Sequence, residues 1–205
     1  MAPIVDTYAL GPTQTNCYVI RASGEAAEAV VVDPGYEGVQ PSRRVAAILV
    51  THCHWDHLGG IAAMAEATAA PVYMPEREAA VLENPQAFYP GQPIRPYSPD
   101  VRLDGDETFE VGGITFETLS VPGHSPGHVA YATDGMLFSG DVLFAGSVGR
   151  TDLPFADWDQ LVESIRLLFE RLPPETVVYP GHGPQTTLGA ERERNPFLAE
   201  LRAAR

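Results

Sequence analysis

Residues Thr51 to His57 read Thr-His-Cys-His-Trp-Asp-His, which places four metal-ligating side chains, His52, His54, Asp56 and His57, within six positions. The segment before them, 45–50, is a short apolar run of the length of a buried strand. After them, Gly59-Gly60 opens an Ala-rich stretch that reads as a helix. The cluster therefore belongs on a loop at the C-terminal end of a strand, where layered α/β folds carry their sites. Imidazole together with carboxylate suits zinc, iron or manganese.

The chain has six histidines, and the other three sit in similar surroundings. Segment 121–128 carries His124 and His128 among Gly and Pro, and segment 179–184 carries His182 in the same company. Each follows an apolar run, and the Gly and Pro mark tight loops. A further strand-end loop, Phe138-Ser139-Gly140-Asp141, presents a carboxylate. A lone loop histidine is usually just solvated, but no histidine lies outside these loops, so a metal site is the better reading.

A length of 205 residues suits one domain over 1–205, and a hydrophobic fraction of 44% is ample for a core. The formal charge of −14 argues against nucleic acid and against anionic membrane surfaces. Small anionic ligands stay open, because bound divalent ions offset charge locally. Every basic residue is arginine, so lysine Schiff-base chemistry is excluded. Cys17 and Cys53 form no disulfide framework. Cys53 alternates with His52 and His54, so it is expected to face away from them. No signal peptide or apolar span of membrane length is read, and a cytoplasmic protein is expected.

Strands are expected at 4–10, 16–20, 28–33 and 45–50, a helix over 60–70, and a short strand at 72–74. Pro75 suits the first turn of a helix running to about Leu82. Segment 84–100 holds five prolines and reads as an extended surface loop, a lid or a passive connection. Strands return over 101–121, with Gly112-Gly113 as a hairpin turn, and continue at 128–133 and 136–139. Leu161, Ile165, Leu168 and Leu172 mark an amphipathic helix over 158–172, capped by Asp157 or Asp159. A strand at 176–179 and a helical tail follow. Two sheets face to face with helices outside fit this order.

Thr51–His57, followed by His124, Asp141 and His182 in order, resembles the metallo-β-lactamase superfamily. The resemblance implies an α/β fold of its type, a four-layer αββα sandwich of two mixed β-sheets flanked by helices, with a two-metal site at one edge. Segments 122–128, 139–144, 146–154, 180–184 and 191–197 look most like the small bacterial glyoxalase II-like (hydroxyacylglutathione hydrolase-like) hydrolases. Full-length glyoxalase II adds a helical C-terminal domain that carries much of its glutathione site. The present sequence stops before one, so the carrier thiol stays open. Carried over by position, His52, His54 and His124 would hold one metal and Asp56, His57 and His182 the other. Asp141 would bridge them beside a hydroxide, with Asp56 and Asp141 as the catalytic carboxylates. Zinc is the first choice, with iron or manganese as alternatives. His128 is left as a support for the ligands or a structural residue. Asp33 is placed to orient a ligand imidazole.

The activity so implied is hydrolysis of a small-molecule thioester. A thiolate leaves without a general acid, and no free histidine in the metal-binding loops is left to serve as one apart from His128. Arg150 is either a clamp for a substrate carboxylate or the salt-bridge partner of Asp152. The rival is a mononuclear-iron persulfide dioxygenase using His52, His124 and Asp141. His128 and the Pro180-Gly-His-Gly segment fit the hydrolases better. A β-lactamase is less favoured, because those enzymes do not use a bridging carboxylate at the position of Asp141. Oligomeric state is not legible.

Overall fold

The computed structural model of the chain describes residues 2–199, so the extreme ends of the expected 1–205 domain lie outside the described residues. The first sheet contains β1 (Ile4–Leu10), β2 (Thr15–Arg21), β3 (Glu28–Val32), β4 (Arg44–Leu49), β5 (Val72–Pro75) and β6 (Val101–Leu103) in that order. β1 to β3 pair antiparallel, and β3 to β6 run parallel. Next come β7 (Thr108–Val111), β8 (Ile114–Ser120), β9 (Val129–Thr133) and β10 (Met136–Gly140), then a ribbon of β11 (Leu143–Phe144) and β12 (Ser147–Val148), then β13 (Val177–Pro180) and β14 (Thr186–Thr187). The second sheet orders these as β14-β13-β10-β9-β8-β7, with β10 and β13 parallel. Helices α1 (Trp55–Leu58), α2 (Ile61–Thr68), α3 (Ala79–Glu83) and α4 (Pro85–Phe88) follow strands of the first sheet, and α5 (Trp158–Arg171) and α6 (Leu188–Arg194) accompany the second.

The layering follows from which side chains need cover. Tyr18, Ile20, Val30, Val32 and Leu49 face Phe116, Val129, Tyr131 and Phe138 between the sheets. Their neighbours Cys17, Val19, Val31 and Ile48 point the opposite way, onto Leu58, Ile61 and Met64 of the helices. A strand covered on both faces reads as a continuous apolar run, which is what Val30–Val32 and 45–50 are. On the other side, Leu161, Ile165 and Leu168 of α5 are fully buried against the second sheet. Each contributes about 1.5–3 kcal/mol by burial. Asp157 accepts a hydrogen bond from the Gln160 amide at 2.9 Å and fixes the start of α5. The four-layer αββα sandwich is thus observed.

Several local expectations are corrected. Pro75 ends β5 instead of opening a helix; a 3-10 turn, Glu76–Glu78, intervenes before α3. Its φ of −54° and ψ of 127° keep the chain extended, and proline's fixed φ is compatible with either state. Segment 84–100 is not uniformly extended. Pro85 opens α4, and Ile94 is buried, so the segment packs onto the core. The Gly112-Gly113 turn is as expected, with φ of +60° and +72°. Both signs are those of a type I′ hairpin, which glycine adopts without strain.

The sheets are stitched together at one edge. The Val129 amide donates to Thr51 O at 3.0 Å and the Asn16 amide to Gly181 O at 2.7 Å. Tyr131 Oη donates to Val50 O at 2.8 Å, and Tyr18 Oη to Pro180 O at 2.6 Å. These bonds lie where β4, β10 and β13 end, and the histidine-bearing loops begin there.

Candidate metal centre

Four loops deliver the ligands to that edge. Residues 51–54 and α1 follow β4, residues 121–128 follow β8, Asp141 follows β10, and His182 follows β13. One group consists of His52, His54 and His124, and another of Asp56, His57 and His182; in each, the donor atoms lie within 4.8 Å of one another. His54 Nδ1 stands 2.8 Å from His124 Nε2 and 3.1 Å from His52 Nε2. In the second group, His182 Nε2 is 3.2 Å from Asp56 Oδ2. Asp141 lies between the groups. Its Oδ2 is 3.5 Å from His124 Nε2 and 3.4 Å from His182 Nε2, and its Oδ1 is 3.5 Å from His57 Nε2.

The surroundings fix which ring nitrogen faces inward. The His124 Nδ1–H donates to Arg150 O at 2.8 Å, leaving the Nε2 lone pair toward the site. Asp33 Oδ2 lies 3.0 Å from His57 Nδ1, with the same result for His57. Thr51 Oγ1 donates to Asp33 Oδ2 at 2.7 Å, so it accepts from His52 Nδ1 at 3.0 Å. Asp33 thus orients His57 directly and His52 through Thr51. Asp33 itself is buried, with φ of 49°. Thr15 Oγ1 donates to Asp56 Oδ2 at 2.8 Å.

This donor set fits divalent cations. Inward lone pairs on neighbouring imidazoles repel unless a cation lies between them. Two buried atoms of the cluster, His57 Nε2 and Asp141 Oδ1, have no hydrogen-bond partner among the described residues, and an atom in that position needs an explanation such as an ion. The Gly181 Cα faces the cluster so closely that a Cβ there would run into the Asp141 carboxylate.

The electrostatics split the ligands into two kinds. Burial, reinforced by neighbouring histidines, holds His52 well below the ordinary imidazole range. Burial and His124 bring His54 down to about 4. Burial opposes charge on His57 and His182 too, yet carboxylates outweigh it. Asp141 and Asp33 lift His57 well above its ordinary value, and hydrogen bonds to Asp141 and Asp56 lift His182 to about 9. Burial likewise works against the Asp56 carboxylate, but His182 and His57 draw it down to about 2. Without bound cations, burial therefore disfavours charge on the first cluster, whereas the carboxylates favour it on His57 and His182.

The remaining expected residues separate clearly. His128 is fully buried, stacked on His52 with ring centroids 4.4 Å apart, and its Nε2 lies 3.0 Å from Ser139 O. It backs a candidate ligand and does not reach the site. Cys53 belongs to neither ligand group; it is buried in the core cluster behind the first sheet and also borders the cavity. Arg150 lines the cavity, but its Nε and Nη2 donate to Asp152 at 2.7 and 2.8 Å, so the salt-bridge role is the one observed. Its carbonyl, which sequence reasoning did not consider, is what holds His124.

Glu78 was also missed. It is 1% exposed, and its carboxylate accepts from the Cys53 amide at 2.5 Å and the Gly127 amide at 2.7 Å. It therefore ties the His52/His54 loop to the His124 loop. The cavity above the centre has a volume of about 850 Å³, and Phe88 and Tyr89 from segment 84–100 help wall it. No helix among the described residues is long and apolar enough to cross a membrane.

The model of the metallo-beta-lactamase superfamily matches residues 10–182. Among curated relatives, the probable metallo-hydrolase YqgX of Bacillus subtilis is 35% identical, covering 92% of this chain and 94% of its own. Hydroxyacylglutathione hydrolase GloC of Haemophilus influenzae is 33% identical, covering 90% of this chain and 93% of its own. Among solved structures, the B3 metallo-beta-lactamase BLEG-1 superposes with a TM-score of 0.87 at 38% identity, covering 96% of this chain and 100% of that one. TTHA1623 in a di-iron-bound form gives 0.77 at 40% identity, covering 95% and 100%. ETHE1 from Myxococcus xanthus gives 0.79 at 26% identity, covering 94% and 83%.

Proposed function

The chain belongs to the metallo-beta-lactamase superfamily, and from that premise we propose that it is a metal-dependent hydrolase of glyoxalase II type, cleaving S-acyl thiol conjugates at a two-metal centre. The observation that carries this reading is Asp141, whose carboxylate stands within 3.5 Å of imidazoles from both ligand groups. His52, His54 and His124 would hold one ion, Asp56, His57 and His182 the other, and Asp141 would join both. When bound, the two ions supply water activation near neutral pH and polarisation of the acyl carbonyl.

The protein's own groups define the rest. Asp33, Thr51 and the Arg150 carbonyl hold three imidazoles in the tautomer a cation needs. Asp56 and Asp141 supply the negative charge, and Thr15 holds Asp56 in place by a hydrogen bond. His128 is sealed behind His52 and offers no proton to a departing amine. A thiolate, whose conjugate acid has a pKa of about 8.5, leaves without one. That favours a thioester over an amide. The likeness to GloC supports the same substrate class. Zinc is our first choice of metal, and the di-iron form of TTHA1623 makes iron its direct competitor.

Two other readings rest on specific likenesses, to ETHE1 for sulfur oxidation and to BLEG-1 for β-lactam hydrolysis. One experiment separates all three. Protein of measured metal content is assayed for thiol release from S-D-lactoylglutathione, oxygen uptake with a persulfide, and opening of a chromogenic β-lactam, before and after chelation. Chelator-sensitive thiol release restored by metal supports the thioesterase. Oxygen uptake with one iron per chain, or β-lactam opening without thiol release, would displace it.

A further inference from the structure

Two guanidinium groups line the cavity over the ligand cluster, and they are not equivalent. Arg150 gives Nε and Nη2 to the two carboxylate oxygens of Asp152. That occupies the fork with which arginine grips a carboxylate. Arg77 is exposed and makes no ion pair or hydrogen bond through its side chain among the described residues. Its stem is nonetheless anchored. The neighbouring Glu78 is buried and held by the Cys53 and Gly127 amides, and a Cβ on Gly127 would stand only 2.8 Å from Arg77 Cβ. Arg77 is thus an unpaired cation with a fixed base, on the wall that carries His124.

The rest of the cavity suits a molecule with an apolar body. Trp55, Val81, Phe88 and Tyr89 line it, and so do Leu153 and Phe155. Phe88 is 50% and Phe155 85% exposed. Phe155 holds a φ of +66°, a left-handed conformation unusual for a bulky side chain. Backbone strain of this kind clusters at ligand sites. A volume of about 850 Å³ falls within the range of small-molecule sites, where a few polar groups fix the orientation of a mostly apolar ligand. Arg150 is taken by Asp152, which leaves Arg77 as the guanidinium on the cavity wall able to receive an anion.

We propose that Arg77 is the specificity residue of this cavity. It receives a carboxylate on the thiol portion of an anionic thioester, while Phe88 and Phe155 cover the apolar remainder. The thioester part of this assignment rests on the hydrolase reading above.

The test uses metal-loaded protein and S-hexylglutathione, a thioether that cannot be hydrolysed, against its diethyl ester. Calorimetry gives the affinity ratio of acid to ester. The wild type is expected to prefer the acid by about 10- to 100-fold, the value of a charge-assisted contact. Arg77→Met removes most of that preference, Arg77→Lys retains part of it, and Arg150→Ala retains it. A wild type without preference, a preference that survives Arg77→Met, or one abolished by Arg150→Ala would each overturn the proposal. Thiol release from S-D-lactoylglutathione is measured in parallel. An Arg77-dependent preference without thiol release would sink the thioesterase reading and leave Arg77 as a carboxylate site.

Discussion

Replacing Glu78 tests whether the two ligand loops are positioned by one buried carboxylate. Its oxygens accept from the Cys53 and Gly127 amides at 2.5 and 2.7 Å. Hydrogen bonds to a charged group are worth about 1.5–3 kcal/mol each, so Glu78→Ala removes about 3–6 kcal/mol on paper. Gly127 is only half-buried and Glu78 borders the cavity, so water can replace part of that loss, and about 2–4 kcal/mol is the expected fall in stability. The effect on metal is unequal. Cys53 lies between His52 and His54, and Gly127 lies in the loop that carries His124. The first ligand group therefore loses its frame. No hydrogen bond among the described residues ties Asp56, His57 or His182 to Glu78. Titration of the chelated variant with zinc should show one site weakened by about 10- to 100-fold, the usual effect of losing a residue that supports a ligand, and one nearly unchanged. Glu78→Gln keeps one acceptor and turns an amide against the other N–H, so it should fall between. Equal weakening of both sites, or lower stability with both affinities intact, would refute the positioning role.

Four further outcomes are expected. Asp33→Ala should weaken both sites, each by about 10- to 100-fold, because Asp33 orients His57 directly and His52 through Thr51; a loss confined to one site would contradict that hub. Gly181→Ala should abolish occupancy of the Asp141 position while the far-ultraviolet circular dichroism stays native, since the added Cβ meets the carboxylate; unimpaired binding of two ions would show that the loop yields. Chelation should lower the unfolding temperature, because ions that bind the folded state alone stabilise it by about 2.7 kcal/mol per site at 100-fold excess over Kd; an unchanged transition would count against folded-state sites. The chelated protein should be most stable near pH 6.5. Below that value the unfolded chain protonates His52, His54, His124 and His128, which the folded chain holds neutral by burial, at up to about 1.4 kcal/mol per pH unit for each. Above it the raised His57 and His182 reverse the sign, and stability falls as pH rises through about 9 for His182. Stability that climbs steadily from pH 4 to 9 in denaturant titrations would disprove this assignment.

The inner strands were legible in the sequence because both of their faces are covered. Val30–Val32 and 45–50 must then be apolar throughout, and such runs stand out against Gly and Pro punctuation. The helix α5 was legible from its leucine spacing. Elements shorter than one period were not. The four-residue α1 inside the ligand motif shows no stripe, and β11, β12 and β14 are two residues each. Segment 84–100 misled by its prolines. Pro85 starts α4, and Ile94 is drawn into the core by contacts from residues far along the chain.

The site shows the same division with a different cause. His52, His54, Asp56, His57, His124, Asp141 and His182 were readable because ligand types are rare in tight loops and here are crowded into them. What orients them is chemically ordinary. Glu78 sits in Glu76-Arg77-Glu78, which looks like any solvated turn, and Arg77 looks no different beside it. The turn comes close to the His124 loop at Gly127, where a Cβ would meet both side chains. Of the two roles read for Arg150, the salt bridge with Asp152 is the one observed, but a second role lies in its backbone. Its carbonyl positions His124, and any residue can supply a carbonyl, so sequence alone cannot mark it. Ligand identity is thus written locally, whereas ligand geometry is set by contacts between the two sheets. The bonds from Val129 to Thr51 and from Asn16 to Gly181 close the sandwich at the same edge. Docking of the sheets and assembly of the centre are therefore one event, because neither ligand group is complete on a single sheet.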